Sequence, residues 1–138
     1  MTDSWAPVSL ASSVRLALRI FRAYVVVQVG LRLRRRPLPE LVHNLAAGAS
    51  VAREVHPPRR VSWATYRLLK LGPCRPRCLI GSLVVFRVLH EQRSPALLAI
   101  GLPEAGEDIT AHAWIEVEDR DVGPPPGRGD HEVMVRFR

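Results

Sequence analysis

The stretch RPRCLIGSLVVFRVLH, residues 75–90, decides the fold, because it places a thiol at the start of a buried helix. Its apolar residues recur at the spacing of one helix face: Leu79, Leu83, Phe86 and Leu89. They predict a helix over about 78–90 that is buried on at least one side. Cys78 is its first residue, where the unpaired amides of the first turn and the helix dipole favour a thiolate. Arg75 and Arg77 add positive charge if they lie close.

The residues before this stretch predict a long first helix over 9–36. It carries two stripes at helical spacing. The apolar stripe is Leu16, Ile20, Ala23 and Val27, and the basic stripe is Arg15, Arg19 and Arg22. Pro37 and Pro39 forbid continuation of this helix.

Two shorter helices follow the first one. The second covers residues 39–47, with Pro39 in its first turn and Gly48 at its stop. The sequence HPPRR at 56–60 predicts a linker. Ser62 is suited to cap a third helix that continues through Lys70.

After the cysteine helix the apolar pattern changes to the period of strands. Residues 96–102 form an apolar run of strand length, and TAHAWIEVE at 110–118 alternates strictly. This alternation places His112 and Trp114 on one face of the strand. HEVMVRF at 131–137 alternates again. Helices followed by an antiparallel sheet predict an α+β domain, with a cysteine-bearing helix packed on a small sheet.

The length of 138 residues predicts one compact unit, with an N-terminal helical segment at 1–60 and a core at 61–138. The formal charge of +7 is uneven along the chain. Residues 1–94 hold 16 basic and 4 acidic side chains, whereas residues 95–138 hold 4 basic and 9 acidic ones. An acidic protein, a lipid surface or nucleic acid could use the basic part. A small basic nucleic-acid-binding protein therefore remains an alternative, although no recognised motif supports it.

Location and cofactors follow from what the sequence does not contain. No signal-peptide pattern is found at the start, and the apolar stretch AYVVVQVGL at 23–31 is shorter than the roughly 18–20 residues that a bilayer needs. We therefore expect a cytoplasmic protein with no membrane contact. Cys74 and Cys78 are too few for a disulfide scaffold. With His90 or His112 they could bind zinc, but there is no second paired motif, and we expect neither a metal nor a cofactor.

His112 is the candidate partner of the thiol. An imidazole close to a thiolate can activate it and protonate the leaving amine, and the small neighbours of His112 leave room for a substrate. The order of cysteine on a helix and then histidine on a strand recurs in papain-like cysteine proteases and transglutaminases. The structural alternatives stay open, since such a cysteine is often a small core residue and such a histidine is often structural.

Two motifs carry a more specific resemblance. In RCLIGSL the matching residues are Arg77, Cys78, Leu79, Ser82 and Leu83. In AHAWIEVEDRDV they are Ala111, His112, Ala113, Trp114, Glu116 and Val117, with Ile115 in place of Val. Together with RPLPELV at 36–42, these motifs resemble the leader peptidases of lasso-peptide biosynthesis over residues 35–123. Those peptidases are the cysteine-protease half of a split maturation enzyme and have a transglutaminase-like core.

The resemblance implies an activity and a set of partners. Cys78 would be the nucleophile and His112 the base of a peptidase that removes the leader from a ribosomally synthesised precursor peptide. The Cys78 backbone amide would hold part of the oxyanion. The partners implied are the precursor, a small leader-binding protein and an asparagine-synthetase-like lasso cyclase, with no nucleic acid.

One position departs from the family pattern. The family places an acid about twelve residues after the histidine to orient the imidazole, and here that position is Pro124. Asp121 is nearest, but strand alternation turns it to the opposite face. Asp130 or Glu132 could reach back across the loop. Otherwise the site is a dyad, or the chain is an impaired homologue that scaffolds the maturation complex.

The basic residues of the N-terminal helices also suggest where a partner docks. Because few acids lie in residues 1–94, we expect a basic surface there that receives the leader-binding protein. The apolar stripe of Leu16, Ile20 and Val27 is the alternative contact, with the arginines only steering association.

Overall fold

The computed structural model describes residues 9–49, 51, 54–71, 78–103, 111–123, 129 and 131–138. The helices are α1 (Leu10–Gln28), α2 (Leu38–Ala47), α3 (Pro58–Leu71) and α4 (Cys78–Glu91). The strands are β1 (Ala96–Pro103), β2 (His112–Val117), β3 (Arg120–Asp121) and β4 (His131–Phe137). The strands pair antiparallel in the order β3-β2-β1-β4, which confirms the predicted α+β class. Within the described ranges, none of the helices combines the length and the apolar character that crossing a bilayer requires.

The first helix has the predicted start but not the predicted end. Ser9 caps α1 by accepting a 3.1 Å hydrogen bond from the Ser12 backbone N–H. After Gln28 the chain widens into a π-helical turn, Val29–Leu33. A Cβ atom at Gly30 would overlap the side chain of Leu41, so the glycine lets α2 pack closely against this turn.

The inner face of α1 packs into the core. The residues predicted as an apolar stripe are all buried: Leu16, Ile20, Ala23 and Val27. The prediction that Leu16, Ile20 and Val27 could contact a partner is therefore wrong, because the protein's own core already covers them. Arg19, which was predicted with Arg15 and Arg22 on a basic stripe, is also buried.

The third helix begins earlier than predicted. Pro58 is its first residue, so the predicted linker at 56–60 is wrong for its last three positions. Proline fits the first turn of a helix because its missing N–H would have no intrahelical acceptor there. Ser62 accordingly lies inside the helix, where its hydroxyl donates to the Gly123 carbonyl instead of capping.

Helix α4 lies at the centre of the domain. It contacts α1, α2 and α3 as well as strands β1 and β2. Its buried residues include polar and apolar side chains: Ser82, Leu83, Val84, Val85, Phe86, Val88, Leu89 and Glu91. The predicted helix at about 78–90 is confirmed, and its near-continuous apolar sequence reflects burial on most of its surface.

A buried ion-pair network joins α1 to α4. The Arg19 guanidinium lies 3.5 Å from the Glu91 carboxylate and donates to the Val88 carbonyl at 3.2 Å. Arg87, one turn before Glu91, lies 3.4 Å from the same carboxylate. The buried carboxylate of Glu91 therefore lies between two guanidinium groups.

The sheet is built around β1, which pairs with β2 on one side and β4 on the other. Gly101 stands opposite His112, and a bulge at Ile100/Gly101 shifts the register with β4. A two-residue turn at Glu118 and Asp119, both with positive φ, leads to β3. The strands predicted at 96–102 and 131–137 are confirmed, as is the central part of the one at 110–118.

Candidate active site

Cys78 is the first residue of α4, as the sequence predicts. Its thiol is free and half-buried. The backbone N–H groups of a first helical turn have no acceptor within the helix, and the dipole adds positive potential at that end. The position therefore suits an anionic sulfur and a developing oxyanion. Cys74, Arg75 and Arg77 lie outside the described residues.

Ser82 connects the cysteine helix to the histidine strand. It follows Cys78 by one helical turn, which is about 6 Å along the axis. Its buried hydroxyl donates a 3.2 Å hydrogen bond to the carbonyl oxygen of Ala113. Ala113 directly follows His112, the first residue of β2. The bond thus brings the beginning of the helix and the beginning of the strand to the same end of the domain.

Tyr66 of α3 lies against the first turn of α4. Its hydroxyl is 3.4 Å from Ser82 Oγ. Its ring occupies the space beside Gly81, where an added Cβ would lie 2.8 Å from two ring carbons. Burial raises the pKa of Tyr66 above its usual 10.0, the Ser82 hydrogen bond lowers it, and the negative charges of Cys78 and Asp121 raise it further. The hydroxyl therefore stays protonated at neutral pH and can donate a hydrogen bond next to the thiol.

His112 belongs to a cluster of three rings. Its imidazole stacks on Trp114, with centroids 6.1 Å apart and planes at 27°. His131, the first residue of β4, lies 4.9 Å from His112 and 6.3 Å from Trp114. The prediction that His112 and Trp114 share a face is confirmed. Ala113, between them in the alternation, turns its side chain into the core.

Gly101 makes room for this ring cluster. A Cβ atom there would lie 2.8 Å from the Trp114 ring and would also overlap the Glu132 carbonyl oxygen. The missing side chain therefore lets the indole ring extend over β1 and lets β4 approach it at the bulge. Trp114 is buried as a result.

Sequence reasoning missed both Tyr66 and His131. A glycine inside an apolar helix is unfavourable, and Gly81 was therefore a signal that another side chain packs closely there. No comparable signal existed for His131, because only the strand order places β4 near β2 across β1.

The acids considered as a third catalytic residue have different environments. Asp121 Oδ1 accepts a 2.9 Å hydrogen bond from the Gly123 backbone N–H, and its charge raises the pKa of Tyr66. Glu132 is exposed and pairs with Leu102 in the sheet. Pro124 and Asp130 lie outside the described residues. Of the described acids, Asp121 is thus the one whose charge acts on the Tyr66 hydroxyl.

The zinc alternative with His90 is wrong. His90 is near the other end of α4, twelve residues and about 18 Å along the axis from Cys78. Its ring packs 4.2 Å from Phe86, and Nε2 lies 3.1 Å from the Ala96 carbonyl oxygen. Within the parts of the chain that are described, no three or more His, Cys, Asp or Glu side chains group together to hold a metal ion.

Comparison with known proteins adds the family. A family model described as the transglutaminase-like superfamily matches residues 12–136, which include both Cys78 and His112. No curated protein and no solved structure gives a significant match to the chain. The matched segment runs from the first turn of α1 to near the end of β4 and so spans nearly all of the described helices and strands. With a match over most of its length, the chain belongs to the transglutaminase-like superfamily.

Proposed function

We propose that the chain is a cysteine peptidase that removes the leader from a ribosomally synthesised lasso-peptide precursor. The superfamily includes cysteine proteases. The observation that carries the proposal is the hydrogen bond from Ser82 to Ala113, which joins the helix that begins with Cys78 to the strand that begins with His112. The precursor as substrate rests on the two motifs around these residues.

In the proposed reaction, the Cys78 sulfur attacks the carbonyl carbon of the peptide bond between leader and core. His112 takes the thiol proton and gives it to the leaving amine, and a thioester to the leader remains on the enzyme. Water then attacks the thioester, with His112 as the base, and releases the leader carboxylate and the free thiol. The Cys78 backbone N–H stabilises the oxyanion in both steps.

The proposed setting follows the same resemblance. In the cytoplasm, a small leader-binding protein presents the precursor, and an asparagine-synthetase-like lasso cyclase closes the core peptide after cleavage. Neither nucleic acid nor a membrane takes part. The chain needs no cofactor for this chemistry, because the nucleophile and the base are both side chains.

A catalytically impaired scaffold of the same family is the second candidate. The observation that favours it is Pro124, which occupies the position of the family's orienting acid and has no acceptor side chain. The scaffold would bind the same partners without cleaving the precursor.

Cleavage of the precursor separates the two candidates. The purified chain is incubated with synthetic lasso-peptide precursors, with and without a leader-binding protein, and the products are identified by mass spectrometry. Cys78→Ala abolishes cleavage, whereas Cys74→Ala, the control at the other cysteine, leaves it nearly unchanged. No cleavage by the unmodified chain under either condition rejects the peptidase and favours the scaffold.

The role of His112 is tested on the same substrate. His112→Ala lowers turnover by orders of magnitude, because a nucleophile and its base act as a unit. A decrease of less than about tenfold, or roughly 1.4 kcal/mol, shows that His112 is not the base.

Alkylation tests the thiolate without a substrate. Iodoacetamide labels Cys78 faster than Cys74 at neutral pH, and His112→Ala slows the labelling of Cys78 alone. Equal, slow labelling of both cysteines contradicts an activated thiol at Cys78.

A further inference from the structure

Helix α1 is apolar on two opposite faces. The inner face packs into the core, and the outer face carries five large apolar side chains that remain exposed. We call them the outer stripe: Leu10, Val14, Leu18, Phe21 and Val25. Leu18 and Phe21 are 62% and 66% exposed. At helical spacing the outer stripe covers roughly 80° of the helix circumference and is about 22 Å long.

The C-terminal half of the outer stripe lines a groove of about 880 Å³. The side chains around this groove are Arg15, Leu18, Arg19, Phe21, Arg22, Val25 and Glu54. Contiguous exposed apolar surface of this kind marks interaction sites in proteins that are otherwise monomeric. The apolar side chains of this groove, Leu18, Phe21 and Val25, are suited to contact apolar side chains of an occupant.

The charges at the groove are mainly positive. Glu54 forms an ion pair with Arg15, whose Nε lies 2.9 Å from the carboxylate, and Arg19 forms one with Glu91. Arg22 forms no ion pair with any of the described residues. A two-fold contact between two copies of the chain would bring together two surfaces that each have this excess of positive charge. The surface therefore favours an occupant that carries carboxylates.

We propose that the outer stripe is a docking surface for a partner polypeptide, which inserts a row of apolar side chains and sets carboxylates against Arg22, beside the Arg15–Glu54 pair. The length of the stripe, about four helical turns, matches an amphipathic helix lying along it. The apolar contact supplies the affinity, and the arginines supply orientation and a faster encounter. This docking uses neither Cys78 nor His112 and does not depend on the proposed peptidase activity.

Two synthetic peptides test the proposal with the full chain. Both are labelled amphipathic helices of about 18 residues with leucines on one face, long enough to form a helix on a surface. One has glutamates along the borders of that face and the other has lysines. Fluorescence anisotropy measures their affinities at low and high salt. The glutamate peptide binds at least about tenfold more tightly, and salt reduces the difference.

Variants of the chain locate the binding surface. Phe21→Ser and Leu18→Ser each lower the affinity for the glutamate peptide at least about fivefold. Arg22→Glu removes most of the difference in affinity between the glutamate and the lysine peptide. Leu33→Ser is the matched control, because Leu33 is 79% exposed but lies outside the outer stripe. It leaves both affinities unchanged. Thermal melts check that each variant is folded, as expected for exposed positions.

Several results would overturn the proposal. Equal affinity for the two peptides, no binding of either, or binding that Phe21→Ser does not weaken contradicts it. Flotation with vesicles of phosphatidylcholine and phosphatidylglycerol that is lost in Phe21→Ser, without peptide binding, assigns the surface to a membrane. A dimer in sedimentation equilibrium that Phe21→Ser dissociates, again without peptide binding, assigns it to a second copy.

Discussion

Ser82 Oγ donates a hydrogen bond of 3.2 Å to the carbonyl oxygen of Ala113, and this contact fixes the register between the cysteine helix and the histidine strand. The same hydroxyl lies 3.4 Å from the Tyr66 hydroxyl, so one buried serine joins α3, α4 and β2. Small shifts of a catalytic group can lower turnover a hundredfold, and a contact one turn from the proposed nucleophile, Cys78, is therefore expected to control rate as well as stability.

Ser82→Ala tests this contact. The variant leaves the Ala113 carbonyl without its donor and destabilises the protein by about 1–3 kcal/mol. Turnover falls more than this loss explains, because the helix start is no longer held against β2. Thr65→Val is the matched control, since it removes a buried hydroxyl that donates to Val61 within its own helix. Equal effects of both variants on turnover would show that Ser82 serves only stability.

Gly81→Ala tests the packing of Tyr66. Alanine is the better helix former by about 1 kcal/mol, but its Cβ would lie 2.8 Å from the Tyr66 ring. We expect the ring to move away from the first turn of α4, with a lower melting temperature and slower cleavage. Tyr66→Phe keeps the ring and removes the donor, and it therefore lowers turnover with little change in stability. Full activity in Tyr66→Phe would exclude a role for the hydroxyl.

Two substitutions at His131 test whether the site needs only an aromatic ring at this position or also the ring nitrogens. His131→Ala removes the ring that packs against His112 at a centroid distance of 4.9 Å, and we expect a less ordered imidazole and a lower kcat. His131→Phe keeps a ring in the same place and retains most of the activity. The imidazole NMR signals of His112 report the change directly, since they broaden or shift in the alanine variant. If the phenylalanine variant is as slow as the alanine variant, the His131 nitrogens are needed.

Glu91→Gln removes the carboxylate that lies between the guanidinium groups of buried Arg19 and half-buried Arg87. Arg19 and Arg87 then lie near each other without a counter-charge, and the expected loss is about 3–5 kcal/mol of unfolding free energy in urea. Glu40→Gln is the control, because the Glu40–Arg36 pair is an i,i+4 contact at the surface. It changes stability by at most about 0.5 kcal/mol. Similar losses in the two variants would contradict the importance of the buried network.

His90 should make the protein sensitive to acid. Burial lowers its pKa below the usual 6.5, against the opposing effect of its hydrogen bond to Ala96. The unfolded state therefore binds a proton at His90 more readily than the folded state does. The contribution of neutral His90 to the free energy of unfolding is fully present above pH 6.5, and it is lost as the pH falls from there to the lower pKa of the folded state.

His90→Gln should flatten this decline in melts across the acidic range. It does not abolish the decline, because burial also lowers the pKa of His56. His43→Gln, at an exposed position, leaves the slope unchanged. A slope that is the same in His90→Gln as in the unmodified chain would rule out His90 as its source.

Hydrophobic periodicity predicted the helices and strands that are buried on one face. It did not predict features that depend on backbone geometry, such as the first residue of a helix or a π-helical turn. The helix at 39–47 and the strand at 131–137 were located closely, since each carries a clear period. The start of α3 was missed, because Pro58 fits a helix start as well as it fits a linker. The π-helical turn at Val29–Leu33 and the close packing of Leu41 on Gly30 within it were not predicted, because no local pattern shows either.

The candidate site was predicted in the same uneven way. Cys78 and His112 remain predictions as catalytic residues, but their positions at the start of α4 and on β2 were predicted correctly, because a helix start and a strand of alternating residues are local features. Tyr66 and His131 were not identified, since each reaches the site through a tertiary contact with a distant segment. The exposure of α1 was also predicted incorrectly: its period located the apolar stripe but did not show that this stripe and Arg19 are buried, and the outer stripe was not identified.

The sequence distance between α1 and α4 has a consequence for synthesis on the ribosome. Arg19 bonds to Val88, 69 residues later, and the inner face of α1 packs on the same helix. The nascent chain must therefore carry α1 with both apolar faces in water until α4 has left the exit tunnel. At typical rates of 5–20 residues per second, that interval is roughly several seconds. During it the chain is a natural client for chaperones that hold apolar segments, and a ligand on the outer stripe would shield half of that surface as the protein is made.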